Sequence, residues 1–158
     1  MMKSHRKAFS MMMAILVIVM MSSLSVLVMN LSAKIGQSTY SQYQREQAIL
    51  LAKSYTEYTI MAIMAHDRAV NCLNSITGEV GGTGSSNIGQ GYIVNVRISY
   101  IGDAGVNNCT NRLANTVVTP ESALNAIIDV SVNYRDINNP NIANAQWIRY
   151  HKRTLQKI

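Results

Sequence analysis

The chain has 158 residues, enough for one domain and a membrane segment but not for two full domains. Fourteen basic side chains stand against eight acidic ones, a formal net charge of +6. Three of those cations fall in the first eight residues, so the remainder carries eleven against eight. The acids are scattered, and no Gly-rich phosphate loop, serine elbow or Cys-x-x-Cys pair occurs. His5, His66 and His151 lack ligand spacing. This pattern argues against an enzyme and a zinc site and implies no cofactor.

Residues 1–8, Met-Met-Lys-Ser-His-Arg-Lys-Ala, form a short basic leader. From Phe9 to Ala33 there is no charged residue, and Phe9 to Met29 is a run of 21 predominantly apolar residues. A helix needs about 20 such residues to cross the hydrocarbon core. A signal-peptide apolar region spans only about 7–15 and ends at a small-residue cleavage site, for which Ser22-Ser23-Leu24-Ser25 is a poor match. Residues 9–32 therefore read as a single transmembrane helix. Lys3, Arg6 and Lys7 precede it without an acid, and Lys34 is the first cation after it. Positive charge stays on the cytoplasmic side, so the expected orientation has the N-terminus inside and the chain from about residue 34 outside the inner membrane.

Helical character continues over residues 33–66, which contain no proline and one glycine, Gly36. Strong helix formers are dense from Gln44 to Lys53, and Tyr43, Leu50, Leu51, Tyr58, Met61, Ala62 and Ala65 fall near one stripe. A helix from Phe9 to His66 would be about 87 Å long at 1.5 Å per residue. Its first half is apolar all round, and its second half is expected to pack that stripe on a folded domain.

Residues 67–158 read as a small sheet domain. Asn71 to Gly91 is rich in Gly, Ser, Thr and Asn, and Gly81 to Asn87 has the composition of a loop. Tyr92–Tyr100 and Ile128–Arg135 alternate apolar and polar residues with period two, the pattern of strands with one buried face. Gln146–Thr154 suggests a third strand, with Trp147 and Ile148 on opposite faces. Val117-Val118 offers a short one, Pro120-Glu121-Ser122 a turn or brief helix, and Asp136-Ile137-Asn138-Asn139-Pro140-Asn141 a turn. The expected fold class is α+β, a long N-terminal helix laid on a small antiparallel sheet.

Cys72 and Cys109 are the two cysteines. In an exported domain they would meet an oxidising compartment, where a pair reads as a disulfide. It would close a loop of roughly 36–38 residues, worth about 3–4 kcal/mol in the chain-entropy model; two free buried thiols are the other reading. Asp103 with Asn107 and Asn108, or Asp136 with Asn138 and Asn141, offers oxygens to calcium, although Asx turns use the same residues. The methionines of the apolar run read as flexible apolar filler. Arg149, Lys152, Arg153 and Lys157 cluster near the C-terminus. They form a solvated strand and tail, or a contact for DNA, anionic lipid or an acidic partner. Only Trp147, Tyr150 and His151 interleave with them, which gives nucleic acid slight support.

The local sequence Arg6-Lys7-Ala8-Phe9-Ser10-Met11-Met12-Met13-Ala14-Ile15, followed by a continuous helix and a small sheet, resembles the type IV filament family of type IV pilins and type II secretion pseudopilins. The resemblance covers about residues 3–66 by motif and helix, and the remainder by architecture. It implies cleavage by a prepilin peptidase between Ala8 and Phe9 and methylation of the new Phe9 amine. Two positions depart from the family pattern: Ala8 stands where Gly is usual, and Met13 stands at the fifth mature position, where Glu is usual. In the family that Glu is thought to neutralise the terminal amine of a neighbouring subunit. A chain without it resembles minor pilins and pseudopilins placed at a filament tip.

The functional expectation is a structural subunit of a type IV pilus, type II secretion or DNA-uptake filament. Its partners would be other pilin-like subunits, the prepilin peptidase, the inner-membrane assembly platform and the lipid bilayer. The alternative is a bitopic inner-membrane protein whose outer domain binds a partner.

Overall fold

The structure, a computed structural model, describes residues 5–68, 70–82, 91–117, 124–136 and 145–158. Residues 1–4 of the leader lie outside the described residues. So do most of the Gly81–Asn87 loop, Val118, Pro120-Glu121-Ser122 and the turn from Ile137 to Asn141. The chain forms two compact units, Met1–Tyr40 and Ser41–Ile158.

Helix α1 runs over His5–Ala65. It contains no proline, and its one glycine, Gly36, leaves the backbone hydrogen-bond ladder intact. Just past its end, the His66 ring nitrogen Nε2 lies 2.8 Å from Asn71 Oδ1.

The second unit places the last part of α1 on a sheet. The strands are β1 (Ser75–Val80), β2 (Tyr92–Gly102), β3 (Arg112–Ala114), β4 (Leu124–Arg135) and β5 (Trp147–Lys157). Four of them run antiparallel in the order β1-β2-β4-β5, and the short β3 lies parallel to β2 beyond the end of β1. The α+β class holds. The strand expected at 92–100 extends to Gly102, and that at 128–135 begins at Leu124. Trp147 pairs with Arg135 and Ile148 with Tyr134, so the two do fall on opposite faces. The segment 71–91 contains a strand, β1, that its composition did not announce. Val117 is not in a strand, although its N–H donates to the Gly102 carbonyl at 3.1 Å.

Period-two alternation gives the sheet two unlike faces. Val94, Val96, Ile98 and Tyr100 of β2 are buried with Ala126, Ile128, Val130 and Val132 of β4. Tyr100 is the largest of these, and its hydroxyl donates to the Leu73 carbonyl at 2.7 Å. Burial pushes its phenol up to about 12, against the lowering effect of Arg68, so it remains a donor.

The helix face that covers this core is not the expected stripe. Tyr43, Leu50, Tyr58 and Met61 are all more than half exposed. Ala65 is exposed, and Leu51 and Ala62 are half-buried. The buried positions are Gln44, Ala48, Ala52, Thr56, Thr59 and Ile63, spaced three or four apart. The physical reason lies in the phase of the helix: Ile63 and the partly buried Leu51, Tyr55 and Ile60 meet the sheet core on this side, and the alanines and threonines fill the space between them. The two threonines satisfy themselves: Thr56 Oγ1 donates to the Ala52 carbonyl at 2.7 Å and Thr59 Oγ1 to that of Tyr55 at 2.6 Å. Gln44 Nε2 donates to the Arg135 carbonyl at 3.2 Å, tying the helix to the end of β4. A Cβ added at Gly78 of β1 would overlap the Tyr55 ring and hydroxyl, so glycine admits that side chain.

Replacing Ala52 by Leu should overpack this interface and cost about 1–3 kcal/mol. Leu50→Ala, on the exposed side, should stay within about 0.5 kcal/mol. Denaturant midpoints of the full chain in mild detergent distinguish the two sites.

Candidate functional site

The family-like processing pair, Ala8 and Phe9, lies in helical backbone near the start of α1. Their side chains, like all those before Met11, lie outside the described residues. From Met11 to Leu31 every large apolar side chain is about half exposed or more, on all sides of the helix. A helix apolar all round needs an apolar surrounding. This segment, near the N-terminus, is long and apolar enough to cross a membrane. Its serines suit such a setting. Ser22 and Ser23 donate to the carbonyls of Val19 and Met20 at 2.9 and 2.8 Å, and Ser25 to that of Met21 at 2.9 Å. Each hydroxyl proton is thus satisfied within the helix, as hydrocarbon demands.

Cys72 and Cys109, at a sequence separation of 37, form a disulfide with a Cα–Cα distance of 4.8 Å. Both are buried in the same apolar cluster as the sheet core. The bond fastens the segment leading into β1 to the turn after β2, where Cys109 N–H donates to the Val106 carbonyl at 3.1 Å. Beside it, the first calcium candidate is otherwise engaged. Asn107 Oδ1 accepts from Arg112 Nη1 at 3.3 Å and from Asn115 Nδ2 at 3.4 Å, so an arginine already occupies the oxygen a cation would use. Among the described residues, no three His, Cys, Asp or Glu side chains converge as metal ligands. Asn138 and Asn141 of the second candidate lie outside the described residues.

The sheet face opposite the helix carries the densest charge. Sequence reading grouped Arg149, Lys152, Arg153 and Lys157 by proximity in the chain. The strand register divides them: Arg149, Arg153 and Lys157 share the outer face with His151 and Trp147, while Lys152 pairs with Val130 on the inner face. Two outer-face residues were missed, Arg97 and Asp129, since single strands reveal alternation but not who sits opposite whom. Asp129 lies in register between Arg97 and Arg153. It accepts from Arg153 Nε at 2.6 Å and Nη2 at 3.0 Å, a two-pronged charge-assisted pair. His151 Nε2 lies 3.3 Å from the same carboxylate. The hydrogen bond from Arg153 holds the Asp129 carboxyl below its ordinary value, against partial burial, and His151 adds to the lowering. Next along β5, Arg149 Nε donates to Asn133 Oδ1 at 2.9 Å, and the Arg135 guanidinium lies 4.7 Å over the Trp147 ring.

Comparison with protein-family models, with curated proteins and with solved structures returned no match for this chain.

Removing the disulfide, by Cys72→Ser with Cys109→Ser, should lower unfolding free energy by about 2–4 kcal/mol, read from denaturant midpoints of the oxidised and substituted proteins. Asp129, with its folded-state pKa depressed, contributes stability above its unfolded value near 3.8. That contribution is lost as pH falls through the folded value. A midpoint series from pH 6 to 2 should therefore show an acid-side decline that is shallower in Asp129→Asn.

Proposed function

We propose that this chain is a pilin-like structural subunit of a type IV filament system, whether pilus, type II secretion or DNA uptake, with a minor or tip position. The observation that carries this reading is helix α1: uninterrupted over His5–Ala65, exposed and apolar over Met11–Leu31, and packed on a sheet by Gln44 to Ile63. A membrane protein with a separate anchor has no need for its spanning helix to continue unbroken into the core of its folded domain. A subunit drawn from the bilayer into a helical bundle does.

In this reading the N-terminus starts in the cytoplasm and the sheet domain lies in the periplasm or beyond. The prepilin peptidase cuts between Ala8 and Phe9, and Phe9 becomes the methylated terminus. Before assembly, the apolar run is solvated by lipid. During assembly it exchanges lipid contacts for packing against other subunits at the inner-membrane platform. Lipid and helix are equally apolar, so that exchange draws on close van der Waals contact at small residues such as Ser22, Ser23 and Ser25 rather than on hydrophobic transfer. Met13 supplies no carboxylate for a neighbour's terminal amine. A buried unpaired ammonium is costly, so such a subunit suits the end of a filament better than its interior.

Mass spectrometry of the membrane-extracted protein tests this reading. A mature chain starting at N-methylated Phe9 is the expected result. An intact leader in cells that process their other prepilins would sink it and favour a static bitopic protein. In that case, co-purification with an assembly platform should also fail.

A further inference from the structure

We propose that the outer face of the sheet, along β5, binds the phosphate backbone of single-stranded nucleic acid. This inference rests on the sheet alone and does not depend on whether the leader is cleaved. Along β5, Arg149, His151, Arg153 and Lys157 all project to this face and are exposed. Alternate residues of a strand lie about 6.7 Å apart, close to the spacing of successive phosphates on an extended strand. Arg97, exposed on β2, widens the basic surface across the sheet, and Arg112 borders one end of it. Two shallow depressions on this face share Arg97, Asp129 and Arg153 in their walls.

The chemistry selects a linear phosphate polymer. The cations are mostly arginines, whose planar forks match phosphate oxygens two at a time. Along β5 they lie in a line, Arg149 and Arg153 either side of His151 and Lys157 beyond the exposed Leu155, instead of forming one pocket. Trp147, 45% exposed at the head of the strand, offers a ring for a base, backed by the Arg135 guanidinium. Between the cations stand Asn95, Ser131 and Ser99, neutral groups that add hydrogen bonds without opposing charge. Asp129 is the carboxylate in their midst, and Glu79 lies on the same face, on β1 at the far edge of the sheet. The pairing of Asp129 with Arg153 holds that guanidinium in place and competes with a phosphate for it.

The test uses the full chain in zwitterionic nanodiscs and fluorescence anisotropy with a labelled 20-nucleotide single-stranded DNA of mixed sequence. Four neutralised phosphates at about −0.7 each in log–log slope would weaken binding on the order of 50-fold between 50 and 200 mM salt. Arg149→Ala with Lys157→Ala should reduce that slope by about 1.4 and weaken binding at low salt. Asp129→Asn should tighten binding several-fold, an outcome that a misfolded variant could not give. Binding that ignores salt or is unchanged in the double variant overturns the proposal. So does polyglutamate displacing the strand as well as unlabelled DNA does at equal charge, which would indicate an acidic polypeptide partner. A duplex bound more tightly than the single strand overturns it too.

Discussion

The approach of helix to sheet at Ala48 and Ala52 is the contact on which the folded unit depends. Both residues are fully buried, in one apolar cluster with the valines and isoleucines of β2 and β4. A sheet of this size cannot keep an apolar face in water, and this stretch of α1 is what covers it. Everything at the opposite face follows. Once the even-numbered residues of β4 point at the helix, the odd-numbered ones, including Asp129, must point away. The charge cluster on the outer surface is thus set in register by packing on the inner one.

Along α1 the same secondary structure meets two different demands. The first stretch is long and apolar enough to cross a membrane, where backbone and side-chain groups would have to be satisfied without water, and its serines donate to carbonyls of their own helix. In the last stretch the demand is packing on the sheet. Thr56 and Thr59 are buried because their hydroxyls are already paired, while the larger Leu50 and Met61 are left outside. The buried face of this stretch thus mixes small residues with Ile63, and Leu51, Tyr55 and Ile60 pack partly against the same core.

One-sided burial explains where the sequence was legible and where it was not. Strands β2 and β4 could be read because alternation survives wherever one face is dry, and Val94 to Tyr100 shows it without interruption. The start of β4 was hidden because Ile127 and Ile128 are adjacent and break the period, although only Ile128 is buried. Strand β1 was hidden by Gly78 and by a face that is only half-buried; β3, at three residues, is too short to show a period. The helix stripe was misread because hydrophobicity marked Tyr43, Leu50 and Tyr58, whereas the buried face lies further round the helix and includes Gln44, Thr56 and Thr59, which hydrophobicity does not mark. The cysteines were visible as a pair, with free thiols left open, and the fold brings them together. The grouping around Asp129 depends on which strands are neighbours, and no local pattern encodes that.

Strand β5 ends the sheet, and its eleven residues leave one side of their backbone without a strand partner among the described residues. A long open edge invites another chain to add itself by main-chain pairing. Here a second copy docking edge to edge in antiparallel fashion would set guanidinium and ammonium groups close to their counterparts, and like charges placed across a strand pair repel. The cations thus act as a guard against self-association that works best at low ionic strength. Concentrated salt, or a polyanion lying along the strand, would weaken that guard and leave the edge open to strand exchange between molecules held close together.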